Sequence, residues 1–218
     1  MVVYSKNRLL YLTDSEYPDT DFQGDADYVI PDDSELAFKM QMYYPHVKLV
    51  TDDNNNLIDI QEYYSLEELK FMKQQEINQA CSSLIYSGYN YNNEHYDLSD
   101  EDQINMLAWS SIAQQGNSVP YHSSDNPCRI YTSEEFLGLV AAVTSFKTYN
   151  LTYCNLLKQQ VNEMTDGEAV SAVEYGVTPL NEKYQTILNT IMGGEVCENR
   201  KTENNQSSVV SAEKSDIV

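Results

Sequence analysis

Apolar and polar positions alternate over short runs near the N-terminus and then recur at helical spacing through most of the remaining chain. The short runs are typical of strands, and they occupy residues 2–4, 9–13, 46–50 and 57–60. Between them, Asp33 or Ser34 can cap a helix that runs from Glu35 to about Tyr44 and ends before Pro45. This pattern predicts a small unit of strands and one helix in residues 1–64.

Two connections in this N-terminal part are rich in acidic and amide side chains, an acidic loop over 14–27 and a polar turn over 51–56. The turn contains Asp52 and Asp53, but it lacks the glycine and the bidentate glutamate of an EF-hand calcium loop. An EF-hand is therefore rejected, and weak cation binding at the hairpin tip stays open as an alternative.

The second part of the chain carries three helix starts with the same local motif, a serine or threonine followed three residues later by an acid. In this capping box the two side chains satisfy two free backbone amides, which favours a helix start. The pairs are Ser65 with Glu68, Ser99 with Asp102, and Thr132 with Glu135.

Glycines and amide residues mark the ends of these helices and the connections between them. Gly88 and Gly116 end the first two helices. A short β-hairpin is predicted near 89–98, with its turn at Asn92 and Asn93, and a loop is predicted over 117–131.

Helical spacing also predicts which side chains face the core. The face of the second helix consists of Ile104, Leu107, Ala108 and Ile112. The third helix carries a stripe of Phe136, Leu139, Val140, Val143, Phe146, Tyr153, Leu157, Val161 and Met164. If it runs to Thr165, this helix spans about 50 Å. It then needs a further partner, either the segment from Gly167 onward or another subunit.

The sequence therefore predicts an α+β protein, with a small N-terminal α/β unit in residues 1–64 and a mainly α-helical bundle in residues 65–194. The bundle contains one long helix, the hairpin near 89–98 and a last helix over Leu180–Met192. Residues 195–218 are polar and are predicted to be a disordered tail.

The chain is strongly acidic, with 13 Lys and Arg against 34 Asp and Glu and a formal charge of −21. Such a field repels a phosphate backbone and argues against direct nucleic-acid binding. Because the acidic residues are spread along the chain, solubility is a sufficient explanation for them. The alternative is that the protein mimics DNA and binds a basic protein. The sequence lacks an apolar run long enough for a transmembrane helix, so no membrane insertion is expected.

Tyrosine is frequent, with 18 Tyr against 5 Phe and 1 Trp. Tyrosine combines a rigid apolar ring with a polar tip, which suits surfaces that become buried on assembly. The same rings could equally cover the core of a polar protein. Both interpretations stay open from the sequence.

The residues with catalytic or metal-binding chemistry are few and scattered. The four cysteines show no short spacing typical of a metal site, and buried, reduced thiols are expected. A composite metal site would need Cys81, His122, Cys128 and Cys154, and a nucleophile would need Cys128 beside His122 or His95. Neither arrangement is favoured, so the sequence predicts no catalytic, cofactor-binding or metal-binding residue and no enzymatic activity.

Short blocks from residue 102 to residue 155 occur in a characteristic order, and their motif residues are Asp102, Gln103, Asn105, Tyr121, His122, Cys128, Arg129, Tyr153 and Asn155. Over about residues 65–176 the chain resembles an uncharacterised domain of bacteriophage proteins, encoded near tail-fibre and baseplate genes. That resemblance implies a tail-associated neighbourhood and brings no enzymatic activity with it. Asp102, Gln103 and Asn105 could bind a ligand or cross-link neighbouring chains, but structural roles are favoured: Asp102 caps a helix, and Gln103 and Asn105 bond to the adjacent loop. Arg129 is expected to pair with a nearby carboxylate or with the end of a helix.

The hypothesis that follows is a non-enzymatic structural or assembly protein of a phage tail tip or tail fibre. It would act through contacts with tail or fibre proteins, or with copies of itself as a homo-oligomer. It would be made in the host bacterial cytoplasm and incorporated in the virion tail if it is a virion component. The alternative is a small acidic phage protein that inhibits a host defence or nucleic-acid enzyme.

Overall fold

The computed structural model describes residues 2–5, 10–13 and 27–193. The chain divides into two compact units, Met1–Leu69 and Lys70–Val218. The acidic loop predicted over 14–27 (apart from Asp27) and the tail predicted over 195–218 lie outside the described residues. The predicted α+β class is confirmed, since short strands come first and a mainly helical region with one long helix follows.

The first unit contains two small antiparallel sheets and one helix. The first sheet consists of β1 (Val2–Ser5), β2 (Leu10–Leu12) and β3 (Tyr28–Ile30), with β1 in the middle. Helix α1 (Glu35–Tyr43) and the hairpin of β4 (Val47–Thr51) and β5 (Leu57–Glu62) follow. Their shared core is formed by Tyr4, Ile30, Ala37, Met40 and Ile60.

Local hydrogen bonds define the ends of these elements. The Ser34 hydroxyl accepts a hydrogen bond from the Ala37 amide at 3.1 Å, so Ser34 is the N-cap of α1. Lys39 Nζ lies 2.8 Å from Asp59 and joins α1 to β5. At the hairpin tip the Asp52 carboxylate accepts hydrogen bonds from the side-chain amide of Asn56, from the Asn56 backbone N–H and from the Asn54 backbone N–H, which lower its pKa. That carboxylate thus closes the turn.

The second unit, to which most of helix α2 belongs, alternates helices with two short hairpins. In chain order its elements are α2 (Leu66–Tyr86), β6 (Tyr89–Tyr91), β7 (Glu94–Tyr96), α3 (Asp100–Ala113), β8 (Val119–Tyr121), β9 (Arg129–Tyr131), α4 (Ser133–Glu163), α5 (Gly167–Ser171) and α6 (Glu182–Ile191). The predicted hairpin is β6–β7, and its turn residues Asn92 and Asn93 both have positive φ. No helix in the described part of the chain is long and apolar enough to cross a membrane.

The loop predicted over 117–131 contains a second hairpin, β8–β9, so that prediction was wrong in part. Pro120 lies in β8 and removes one donor from the strand. A two-stranded ladder tolerates this because each of its strands has a free edge.

Two of the three predicted capping boxes are complete. Ser65 with Glu68, and Ser99 with Asp102, form both reciprocal hydrogen bonds. In the third, Thr132 accepts a hydrogen bond from the Glu135 amide, while the Glu135 carboxylate pairs with Arg129 instead of reaching back. Thr132 therefore caps α4 without a full box.

The predicted core face of α3 was wrong. Ile104, Leu107 and Ile112 are 66%, 70% and 38% exposed, and Ala108 is also exposed. The opposite face is buried and consists of Met106, Ser110 and Ala113. The physical reason is that this face lies in one core with the tyrosine rings of the two hairpins and side chains of α4, contacts that the periodicity of the helix alone does not reveal.

The long helix α4 ends at Glu163 and is covered along its C-terminal half by later residues of the same chain. Tyr153 Oη donates to the Thr178 carbonyl at 2.6 Å, and Gln160 Oε1 accepts from the Asn181 amide at 2.7 Å. Of the two partners predicted for this helix, the segment after Gly167 is therefore the one found. The length of α4 therefore does not argue for a second subunit.

Gly88 provides a test of how α2 joins β6. Its φ is +89°, and a Cβ there would lie 2.6 Å from the Tyr96 carbonyl oxygen and 2.4 Å from His95 Nε2. Gly116 has a similar φ of +84° with nothing within 4 Å. Gly116→Ala should therefore destabilise the fold by about 1–2 kcal/mol through its backbone conformation alone, and Gly88→Ala by at least about 1 kcal/mol more through steric overlap.

Urea denaturation followed by the fluorescence of Trp109, the single tryptophan, measures both variants in this unit. Equal losses in the two variants would contradict the close approach at Gly88.

Candidate functional site

Three tyrosines from the two hairpins of the second unit meet in its core. Tyr96 of β7 and Tyr131 of β9 place their hydroxyl oxygens 3.0 Å apart, and Tyr96 Oη donates to Glu94 at 2.7 Å. Tyr121 of β8 packs edge-on against Phe136 with 5.1 Å between ring centroids. Burial raises the pKa of Tyr121 to about 12.

Arg129 closes this cluster at the surface. Its guanidinium lies 3.5 Å from the centroid of the Tyr131 ring and 2.6 Å from Glu135. Hydrogen bonding to Arg129 holds the pKa of the Glu135 carboxyl below its usual range. The prediction that Arg129 pairs with a nearby carboxylate is confirmed, and the pair ties β9 to the first turn of α4.

Three residues of the cluster, Glu94, Tyr96 and Tyr131, were not predicted from the sequence to share a polar network. The available signal was strand alternation. Glu94 and Tyr96 are two residues apart in β7, as are Arg129 and Tyr131 in β9, so each pair faces one side of its strand.

The block that begins at Asp102 fixes the start of α3. Asp102 completes the capping box, and the Gln103 side chain donates to the Leu98 carbonyl at 2.6 Å. Gln103 Oε1 also accepts a hydrogen bond from Lys147 of α4. The predicted roles of Asp102 and Gln103 are confirmed. Asn105 is exposed and makes no side-chain hydrogen bond to the described residues, so its predicted bond to the loop was wrong.

His122 and Cys128 lie on the exposed connection between β8 and β9. The Nδ1 atom of His122 lies 3.0 Å from the Ser123 carbonyl oxygen. The His95 ring contacts Asn90 and Asp97. Among the described residues neither ring is hydrogen-bonded to the Cys128 thiol, so the geometry supplies no base to activate it.

Two other cysteines form a buried pair between α2 and α4. Cys81 Sγ lies 3.5 Å from the Asn150 carbonyl oxygen, four residues before Cys154. Cys154 Sγ lies 4.0 Å from the Ile77 carbonyl oxygen, four residues before Cys81. Each thiol thus lies over the helical turn that precedes the other cysteine, and burial raises the pKa of Cys154 to about 11. Both are buried free thiols, as expected, whereas Cys128 is exposed, so the predicted burial was wrong for that residue.

The remaining motif residues belong to α4. Tyr153 is buried and bonds the Thr178 carbonyl, whereas Asn155 is exposed one position before the buried Leu156. The described residues contain no group of three or more His, Cys, Asp or Glu side chains arranged to hold a metal ion. The composite site of Cys81, His122, Cys128 and Cys154 is therefore not formed.

The outward face of α3 carries several exposed apolar side chains close together. Its apolar row, defined here as Ile104, Leu107, Ala108 and Ile112, repeats at three- and four-residue intervals along one side of the helix. Scattered exposed aliphatics are ordinary, but neighbouring ones on a single helical face favour a protein contact.

Residues 68–176, half of the chain, match the family described as a domain of unknown function, DUF4376. The chain belongs to the DUF4376 family. The prediction of an uncharacterised domain over about 65–176 is confirmed in this form. No curated protein and no solved structure matches the chain.

The DUF4376 range contains the tyrosine cluster, the apolar row and the buried thiol pair. It ends at residue 176, before Thr178 and Asn181, which bond to Tyr153 and Gln160 of α4. The match therefore includes the candidate contact surface and excludes part of the packing that supports α4.

Removing one hydroxyl tests the tyrosine cluster. Tyr96→Phe deletes the hydrogen bonds to Glu94 and Tyr131, and we expect a loss of about 1–2 kcal/mol in the free energy of unfolding. Tyr86→Phe is the matched control, since Tyr86 Oη bonds Asp100 at 2.7 Å on the surface, and it should change stability by less than about 0.5 kcal/mol. Urea denaturation of both variants measures the two losses in the free energy of unfolding. Equal losses would mean that the buried hydrogen bonds of Tyr96 stabilise the fold no more than a surface hydrogen bond does.

Alkylation rates test the placement of the thiols. Cys128 is exposed, whereas Cys81 and Cys154 are buried. We expect iodoacetamide to modify Cys128 at least about 100-fold faster than the other two in the folded protein, because access and thiolate fraction control the rate. Mass spectrometry of proteolytic peptides identifies the sites. Because exposure alone predicts this order, fast labelling of Cys128 does not indicate an enzyme. Comparable rates at all three sites would contradict the buried pair.

Proposed function

We propose that this DUF4376 protein is a non-enzymatic structural or assembly protein of a bacteriophage tail tip or tail fibre, acting through protein–protein contacts. The proposal rests on the apolar row of α3, in which the side chains of Ile104 and Leu107 are about two-thirds exposed to solvent. Leaving such a row uncovered is unfavourable by about 25 cal/mol per Å² of apolar surface. A partner that covers it supplies a direct driving force for association.

The polar residues of the family blocks support a role other than catalysis. Asp102 caps α3, Gln103 joins α3 to α4, Arg129 pairs with Glu135, and Tyr153 anchors the segment at Thr178. Each side chain is already engaged in holding elements together. The order of these blocks is also what resembles the phage domains encoded beside tail-fibre and baseplate genes.

The formal charge of −21 favours a second function, inhibition of a host enzyme that carries a basic nucleic-acid site. Such an inhibitor would contact its target through acidic side chains, whereas a tail protein would use the apolar row. Cross-linking at the row separates these two functions.

The test places a photo-reactive benzoylphenylalanine at position 104 and, as a matched control, at the exposed position of Asn155 on α4. Cells that assemble the phage particles are irradiated, and cross-linked peptides are identified by mass spectrometry, together with the proteins of purified particles. We expect cross-links from position 104 to a tail or fibre protein, with far fewer from position 155. If the protein is a virion component, its peptides are also present in the particles.

Two results would overturn the proposal. The first is cross-linking to a host defence or nucleic-acid enzyme with no peptide in particles. The second is the absence of any position-specific cross-link together with absence from particles.

A further inference from the structure

The apolar row of α3 is held rigidly before any partner arrives. The capping box of Ser99 and Asp102 fixes the start of the helix, and Gln103 ties its first turn to Lys147. At the other end, the Ser133 hydroxyl donates to the Ala113 carbonyl at 2.7 Å. A surface whose backbone is already ordered loses little conformational entropy on binding.

The shape of the row suits another helix. Ile104, Leu107 and Ile112 surround the smaller Ala108, and together they cover about two helical turns, or roughly 12 Å. Large aliphatic residues beside a small one at helical spacing are the pattern against which an aliphatic side chain of a facing helix packs. An extended peptide would leave its own backbone groups without partners on this face, since all of α3 is helical.

Charge next to the row restricts the partner further. Asp97, Asp100 and Glu101 lie at the N-terminal end of α3, whereas α3 contains no lysine or arginine. Asp100 accepts a hydrogen bond from Tyr86, and Glu101 pairs with no cation among the described residues. The polar residues after the other end, Gln114 and Gln115, carry no charge. The row is thus apolar in its middle and acidic at one end only.

A second copy of the chain fits this pattern poorly. It would supply another row with acids and no cation, and each copy carries a formal charge of −21. Two such surfaces repel each other over the Debye length of about 10 Å at moderate salt.

We propose that the apolar row of α3 binds an amphipathic helix of a partner protein, whose aliphatic side chains cover Ile104, Leu107 and Ile112 and whose lysines or arginines meet Asp97, Asp100 and Glu101. This inference rests on the proposed function, because it names the chemistry of the partner segment for a protein that acts by contact. An interface of this size with one charged end binds in the micromolar range and weakens with salt.

The probe is a synthetic helical peptide of 18 residues with leucines in one i, i+3, i+4, i+7 row and three lysines at one end. A second peptide carries glutamates in place of the lysines. Binding to the full chain is measured by fluorescence anisotropy at two salt concentrations, and the contact is located by backbone amide shifts in NMR spectra. We expect micromolar binding of the lysine peptide, shifts concentrated in α3, and binding at least tenfold weaker for the glutamate peptide.

Variants of the protein distinguish binding at the apolar row from binding to the acidic surface in general. Leu107→Ser keeps every charge and should weaken binding at least tenfold, and Glu101→Gln should weaken it two- to fourfold and reduce its salt dependence. Phe71→Ser is the matched control, since Phe71 is 64% exposed on α2, and it should leave affinity unchanged. Trp109 fluorescence verifies that each variant is folded.

Equal weakening by Phe71→Ser, shifts spread over the acidic surface, or equal binding of both peptides would overturn the inference. Light scattering that shows a dimer lost on Leu107→Ser would assign the row to a second copy instead and would also overturn it. The proposed function fails separately: absence from particles together with host-enzyme cross-links would refute it even if the lysine peptide binds α3 as expected. Conversely, particle incorporation without binding at α3 would refute only this inference.

Discussion

Burial of α4 along its whole length is the constraint on which the Lys70–Val218 unit depends. A helix of 31 residues has buried side chains from Phe136 to Val161, and such a helix derives its stability in water mainly from packing. The hairpins and α3 cover its first half with a tyrosine-rich cluster. Its second half contacts α6 and bonds the segment before it.

Two buried amides set where the covering segments lie along this helix. Asn150 Oδ1 accepts a hydrogen bond from Tyr175, and Gln160 bonds both the Pro179 carbonyl and the Asn181 amide. A buried amide left without partners is unfavourable by about 1–3 kcal/mol. Sliding residues 175–181 along α4 would break these bonds together. These hydrogen bonds therefore fix residues 175–181 at one position along α4. Apolar packing alone would define that position less sharply.

The local features of this fold were predictable from sequence, because they depend on residues close together in the chain. The boxes at Ser65 and Ser99, the turn at Asn92 and Asn93, and the positive φ of Gly88 all involve neighbours within a few positions. The strand β3 and the hairpin β8–β9 were missed because no short turn marks them: β3 pairs with β1, and residues 122–128 separate β8 from β9. The strands β6 and β7 are equally short, but the turn at Asn92 and Asn93 identified them. Periodicity cannot identify so short a strand.

The orientation of α3 was not predictable for a different reason. Its sequence has an aliphatic face and a second face with Met106, Ser110 and Ala113, and hydrophobicity favours the first as core. The second face is buried because it lies in the core that Tyr96, Tyr121 and Tyr131 form with side chains of α4. Those rings come from the two hairpins that precede and follow α3, so the periodicity of the helix alone does not reveal which face they cover. The apolar row of α3 was therefore visible in the sequence as a helical pattern, but it was predicted to face the core.

The buried tyrosines support one of the two interpretations that composition left open, that the rings cover the core of a polar protein. Tyr96, Tyr131 and Tyr153 are buried with their hydroxyls bonded inside the protein, whereas Tyr63 and Tyr86 are about half exposed. The range that defines the DUF4376 family stops at residue 176, yet Leu180, Tyr184 and Leu188 are buried beyond it. A chain ending at the family limit would lose the Tyr153 and Gln160 contacts and expose the second half of α4. The folding unit is thus larger than the matched range. The bond between Lys147 and Gln103 links α3 to α4, the helix that the residues beyond 176 cover.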